Sequence, residues 1–279
     1  TGPATGFTYT PTGRRLTVTD ARGTTGYVHD LRDRLERITY PDGRRLDYGY
    51  DPASNRTSLS ATIGASTLTT GYGYDDDGRL ETVTDPQARV YTHGYDPVHN
   101  RSTLAYPNGT TTSYTYNTLN RLTNLTTANP LVGIVQGYAF TLGLSGNRTR
   151  IDEADGSARV YTYDDVYRLL TDTVTGAIVY DKTFTYDNVG NRLTQITNGQ
   201  GAGSISYDYD DRDRLITEAG ASLTYDNNGN LTGKVADGTT YTWDYENRLI
   251  GVTKVGGMIV AHVYDVDGVR VQTTTTLPG

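Results

Sequence analysis

The chain has no cysteine, and in 279 residues it has one methionine, one tryptophan, three phenylalanines and four histidines. The absence of cysteine excludes disulfides, thiolate nucleophiles and cysteine-based zinc sites. The histidines (His29, His93, His99, His262) are dispersed, whereas a metal or acid–base site needs partners that converge. They read as substitutions at ordinary positions. No apolar run is long enough to cross a bilayer as a helix, so no membrane span is expected. Hydrophobic residues make up only 35% of the chain, which leaves little for a conventional aliphatic core. The net charge is −7 and the arginines are spread along the chain rather than clustered. Phosphate contacts need clustered cations, so nucleic acid is not an expected partner. No Ser-His-Asp set, glycine-rich phosphate loop or zinc-ligand spacing occurs. The acidic turns at Asp75-Asp76-Asp77-Gly78 and Asp208-Tyr209-Asp210-Asp211 lack the distal glutamate of a calcium loop. They read as capped turns. No cofactor, metal or catalytic residue is therefore expected.

What the chain does have is 24 tyrosines, 48 threonines and 32 glycines. Tyrosine and threonine suit a pleated, half-buried surface, and frequent glycine favours turns over helices. The tyrosines belong to a motif that recurs thirteen times: Tyr-Asp, two variable residues, Gly, an optional Asn, then Arg and Leu. Tyr74-Asp75-Asp76-Asp77-Gly78-Arg79-Leu80 and Tyr186-Asp187-Asn188-Val189-Gly190-Asn191-Arg192-Leu193 are clear copies. The motif aromatic falls at Tyr9, Tyr50, Tyr74, Tyr95, Tyr116, Phe140, Tyr163, Tyr186, Tyr209, Tyr225, Trp243 and Tyr264, with His29 standing in once. The copy at Phe140 is the most degraded. A recurrence of this kind marks a repeat architecture. These aromatics are expected to be structural and to occupy equivalent positions.

Each repeat holds two short strands. Arg79 to Thr84 reads as a strand, Asp85-Pro86-Gln87-Ala88 as a turn and Arg89 to Tyr95 as the return. Similar turn signals stand at Tyr40-Pro41-Asp42-Gly43 and Tyr106-Pro107-Asn108-Gly109. Return strands alternate with period two: Leu46, Tyr48 and Tyr50 share a face, as do Tyr91, His93 and Tyr95. The outgoing strands break this parity, since Leu80 and Val83 differ by three. Either the leucine belongs to the turn or a bulge intervenes. The motif itself is expected to join one hairpin to the next, with Asp capping the turn, Gly supplying backbone freedom and Arg placing donors near both. The fold class expected is all-β: meandering antiparallel hairpins from 1 to 279 in a single array of about thirteen units.

These motifs, together with Trp243-Asp244-Tyr245-Glu246-Asn247-Arg248-Leu249-Ile250 and Tyr264-Asp265-Val266-Asp267-Gly268-Val269-Arg270-Val271, resemble the RHS/YD-repeat family over essentially the whole chain. That family includes bacterial RHS toxins, the C component of insecticidal toxin complexes, wall-associated contact toxins and teneurins. The resemblance implies a sheet coiling into a hollow shell, secreted or at the bacterial cell surface. It also implies a C-terminal toxin domain as cargo and further repeats as partners. No toxin domain or autoproteolytic segment is recognisable, and the chain, opening at Thr1 without Met, is expected to be a piece of a longer polypeptide. The alternative reading is an extracellular adhesion scaffold or filament subunit, self-associating through open sheet edges.

Overall fold

The computed structural model describes residues 5–278. Among these there are twenty-six strands and no helix. The chain divides into two compact units, residues 1–139 and 140–279.

In the first unit every strand pairs antiparallel with its neighbour in the chain, from Gly6–Tyr9 through to Gly133–Leu142, which runs across the unit boundary. In the second unit the same meander runs from Arg148–Glu153 to Arg270–Thr276. Within each unit the motif turns close one end of successive hairpins and the remaining turns close the other. The motif turn thus joins one hairpin to the next, as expected, and in this meander is itself a hairpin loop. Two strands make one repeat.

The parity conflict of the outgoing strands resolves as a bulge. Tyr74 pairs with Leu80 while Gly73 pairs with Thr82, so Glu81 has no partner opposite. The same slip occurs beside His29, Tyr50, Tyr95 and Tyr116 in the first unit. It recurs beside Tyr163, Tyr186, Tyr209, Tyr225, Trp243 and Tyr264 in the second. The extra residue brings Leu80 and Val83 onto the face that carries Tyr72 and Tyr74.

Burial is shallow. The buried apolar residues are Val18, Ala158, Val174, Phe184 and Tyr207, and no described side chain is completely enclosed. The aromatic face is covered by its own rings. The opposite face is lined by small hydroxyl side chains that pair across strands, as in Ser60–Thr69 (2.8 Å) and Thr62–Thr67 (3.0 Å) in the first unit. Thr162–Thr171 (2.7 Å) and Thr185–Thr194 (2.6 Å) do the same in the second. Such cross-strand pairs hold a sheet that has no second layer to pack against.

Candidate functional site

The stacked motif turns are the most elaborated part of the structure. In the turn after Tyr74, the Gly78 N–H donates to the Asp75 carbonyl (2.9 Å), and the Asp75 N–H donates to the Arg79 carbonyl (2.9 Å). Gly78 has φ +75°. This is a three-residue loop: a type I turn closed by a left-handed residue. Asp75 Oδ1 accepts the N–H groups of Asp77 (3.1 Å) and Arg79 (2.9 Å), and Oδ2 accepts Arg79 Nε (2.7 Å). The aspartate is thereby saturated by its own loop. The same set recurs at Asp30–Arg34, Asp164–Arg168, Asp210–Arg214 and Asp244–Arg248.

The optional asparagine of the motif has a defined part. At Asp51–Asn55, Asp96–Asn100, Asp187–Asn191 and Asp226–Asn230 the Asn side chain replaces Arg and donates to the same Oδ2, at 2.9–3.0 Å. From Arg34 to Arg248 the two kinds of turn alternate: Arg34, Asn55, Arg79, Asn100 and Arg121 in the first unit; Asn147, Arg168, Asn191, Arg214, Asn230 and Arg248 in the second. The first turn, with Arg14, and the last, with Val269, stand outside the pattern. After Asn55, Asn100, Asn147 and Asn191 an arginine follows one residue on, whereas Leu231 follows Asn230. Arg34 and Arg79 lie over the next motif ring, Tyr50 (4.6 Å) and Tyr95 (4.7 Å). Arg56, after Asn55, lies instead over Tyr72 (4.7 Å), two residues before the next motif ring.

Each motif aromatic also reaches back to the preceding repeat. The hydroxyls of Tyr50, Tyr74, Tyr95 and Tyr116 donate to the carbonyls of Leu35, Arg56, Leu80 and Arg101 (2.8–2.9 Å). In the second unit Tyr163, Tyr186, Tyr209, Tyr225 and Tyr264 donate to Arg148, Leu169, Arg192, Leu215 and Leu249 (2.7–3.0 Å). Trp243 does the same through its indole N–H, to Leu231 (2.7 Å). The acceptor belongs to the residue just before the unpaired one of the adjacent bulge, as Leu80 precedes Glu81. Tyr9, 58% exposed, makes no such bond, and His29 is too short: its Nδ1 is buried without a hydrogen-bond partner. Phe140 is displaced from the position the spacing gave it. Its turn opens at Gly143, so Leu142 stands where other repeats carry the ring, and Phe140 lies two residues earlier under Arg148 (4.6 Å). The aspartate-free loop hid that offset: Leu144-Ser145 are the two variable residues of a loop of ordinary length, not an insertion.

Successive turns touch one another. Asn100 Nδ2 donates to Asn120 Oδ1 (3.1 Å), Asn191 Nδ2 to Asp213 Oδ1 (2.8 Å) and Asn230 Nδ2 to Asn247 Oδ1 (2.7 Å). Asn120, Asp213 and Asn247 are the left-handed residues of their loops, at φ +56°, +59° and +59°. Asn turns such as Asn191 thus bind their own aspartate and the next turn, and Arg turns such as Arg168 their own aspartate, the next turn and the next ring. In the Arg turns the carboxylate is paired with a guanidinium, as at Asp75–Arg79 and Asp210–Arg214. Backbone and guanidinium hydrogen bonds from Arg214 hold the Asp210 carboxyl down at about 2. The scattered histidines do not come together, and no cluster of His, Cys, Asp or Glu able to hold a metal occurs among the described residues.

This geometry defines an all-β hairpin-repeat protein in which the repeated side chains are bonded chiefly to one another. The RHS Repeat family profile matches residues 29–62, 74–111 and 95–130. Residues 29–62 and 74–130, about a third of the chain, thus carry RHS repeats, and the same turn and back-bonded ring recur beyond them, as at Asp164–Arg168 and Tyr186. A stretch of 95 residues, 33% of the chain, is 38% identical to the tRNA nuclease WapA of Bacillus subtilis (strain 168). The tRNA3(Ser)-specific nuclease WapA of Bacillus spizizenii matches to the same extent. The chain spans about 4% of the length of either relative. Among solved structures, the crystal structure of TcdB2-TccC3-TEV covers 99% of this chain at a TM-score of 0.58 and 14% identity, the match taking in 20% of that chain. A Photorhabdus luminescens Tc holotoxin pore carrying a TccC3 variant gives 0.59 over 94% of this chain and 20% of that one, again at 14% identity. At such identity the likeness speaks for the fold alone.

Proposed function

We propose that the chain is a wall segment of an exported RHS/YD-repeat toxin, that it performs no reaction itself, and that its repeats enclose a toxin cargo carried elsewhere in the parent polypeptide. The observation that supports this reading is the use made of the motif: Asp, Arg or Asn, and Tyr satisfy their own loop and the neighbouring repeats, as in the set Asp75, Arg79, Tyr95 and Leu80. Side chains bonded in this way stiffen a wall. The nuclease activity in the names of the WapA relatives belongs on this reading to parts of those proteins outside the matched stretch. The test is protease protection: in the parent polypeptide, the segment enclosed by the repeats resists digestion until the repeats are unfolded. Turnover of RNA or another substrate by this purified chain, abolished by changing one His or Asp, overturns the assignment.

A second reading, a scaffold or filament subunit, draws support from the strands Gly6–Tyr9 and Arg270–Thr276, which are exposed along their whole length. Exposed edges favour pairing with further strands.

A further inference from the structure

We propose that the tip of the hairpin formed by Leu122–Asn129 and Gly133–Leu142 enters the interfacial layer of an electrically neutral lipid bilayer. The first observation is charge. No Asp, Glu, Lys, Arg or His occurs between Arg121 and Arg148, in a chain where one residue in five is charged. The second is exposure. Leu131 is 92% exposed, Val132 74%, Ile134 62% and Val135 62%, so the tip presents four aliphatic side chains to solvent. The third is position. Thr111, the first residue of its strand, pairs with Ala128, and Asn129 bonds to Asn108 and Thr110 of the neighbouring turn, so residues 130–132 form a turn at the end of the strands beside that one.

The fourth observation concerns the backbone. A segment entering lipid must satisfy its own N–H groups, because no water is there to do so. Pro130 has none. The Leu131 N–H donates to Asn129 Oδ1 (2.9 Å) and the Val132 N–H to the Asn129 carbonyl (3.3 Å). Asn129 is itself tied down, its Nδ2 donating to the Asn108 carbonyl (3.3 Å) and Thr110 Oγ1 (3.1 Å). At about 3.3 Å per residue, Ile134 and Val135 lie within about 10 Å of the turn. Interfacial segments bury their apolar face to about that depth.

A neutral bilayer fits these features better than a protein surface. Stable protein interfaces bury about 800 Å² on each partner, more than four aliphatic side chains at a turn provide. The tip side chains also carry no hydrogen-bonding group that would orient a protein partner. With no cation in the hairpin, attraction to anionic lipid plays no part.

The test is flotation of the 279-residue chain with phosphatidylcholine vesicles. The chain co-floats, and about 1 M salt does not release it. Leu131→Asp combined with Val132→Asp lowers the bound fraction at least about tenfold, with an unchanged circular dichroism spectrum because both positions are exposed. Leu31→Asp, at an equally exposed leucine in a motif turn, leaves binding unchanged. The proposal is overturned if the wild-type chain stays below the vesicles or the double variant floats as well as wild type. It is equally overturned if the double substitution abolishes only self-association in solution, which would assign the tip to a second copy of the chain.

Discussion

The back-bonded ring is where residue chemistry and repeat architecture meet. Tyr95 delivers a hydroxyl to the Leu80 carbonyl and an aromatic face to Arg79. Tyr95→Phe keeps the ring and loses one hydrogen bond, which costs about 1 kcal/mol. Tyr95→Ala removes the ring too and costs about 3 kcal/mol, the low end for large aromatic truncations. Urea unfolding of both variants separates the two contributions; equal losses would show that the ring adds nothing beyond its hydroxyl. The motif carboxylates set an acid limit. Asp210 titrates at about 2 in the fold and near 3.9 in an unfolded chain. Its folded value is the lower one, so its stabilising contribution is complete above pH about 4 and is lost as pH falls from about 4 to about 2. Asp30, bonded by the Arg34 side chain, and Asp226, bonded by the Asn230 side chain, shift in the same direction. Urea midpoints should fall steeply across that window, and less steeply in Asp210→Asn. The motif, its aromatic column and the capping by Asp were legible in the sequence. The bond from ring to carbonyl was not, because its acceptor is defined by a bulge that forms only when two strands pair.

At the scale of the element, each loop needs one residue in the left-handed region. Gly78 meets this without strain at φ +75°, whereas Asn120, Asp213 and Asn247 use polar side chains that bond to the preceding turn. Ala88, at φ +60° in the turn Asp85–Arg89, has neither advantage. A left-handed conformation costs an L-residue about 1–2 kcal/mol, and glycine loses about 0.5–1 kcal/mol of extra chain entropy on folding. Ala88→Gly should therefore stabilise by about 0.5–1 kcal/mol, and Gly78→Ala should destabilise by about 1 kcal/mol. Thermal melts of the two variants check both signs; a destabilised Ala88→Gly would refute the strain argument. Sequence reading located these loops by their Asp and Gly, and assigned the asparagine only as optional. The alternation of Arg and Asn from Arg34 to Arg248 was present in the sequence. Its meaning lay in which ring each arginine covers, a relation between strands that spacing alone does not express.

At the scale of the whole molecule, no described side chain of either unit is completely enclosed. Stability is spread thinly and held between neighbouring repeats, as in other arrays. The exposed strands Gly6–Tyr9 and Arg270–Thr276 should drive association that grows with concentration in light scattering. Val271→Lys with Thr275→Lys, charges on an exposed edge, should reduce it; unchanged scattering would show that this edge takes no part. One consequence follows from the direction of the ring-to-carbonyl bonds. Every donor lies 10 to 18 residues later in the chain than its acceptor. A polypeptide emerging amino end first thus presents each carbonyl before the ring that seeks it. Every hairpin can close on one already finished, with no need to wait for distant sequence. Each closure is a pawl against slipping back, so a chain threading through a narrow conduit would be pulled forward by its own folding on the far side.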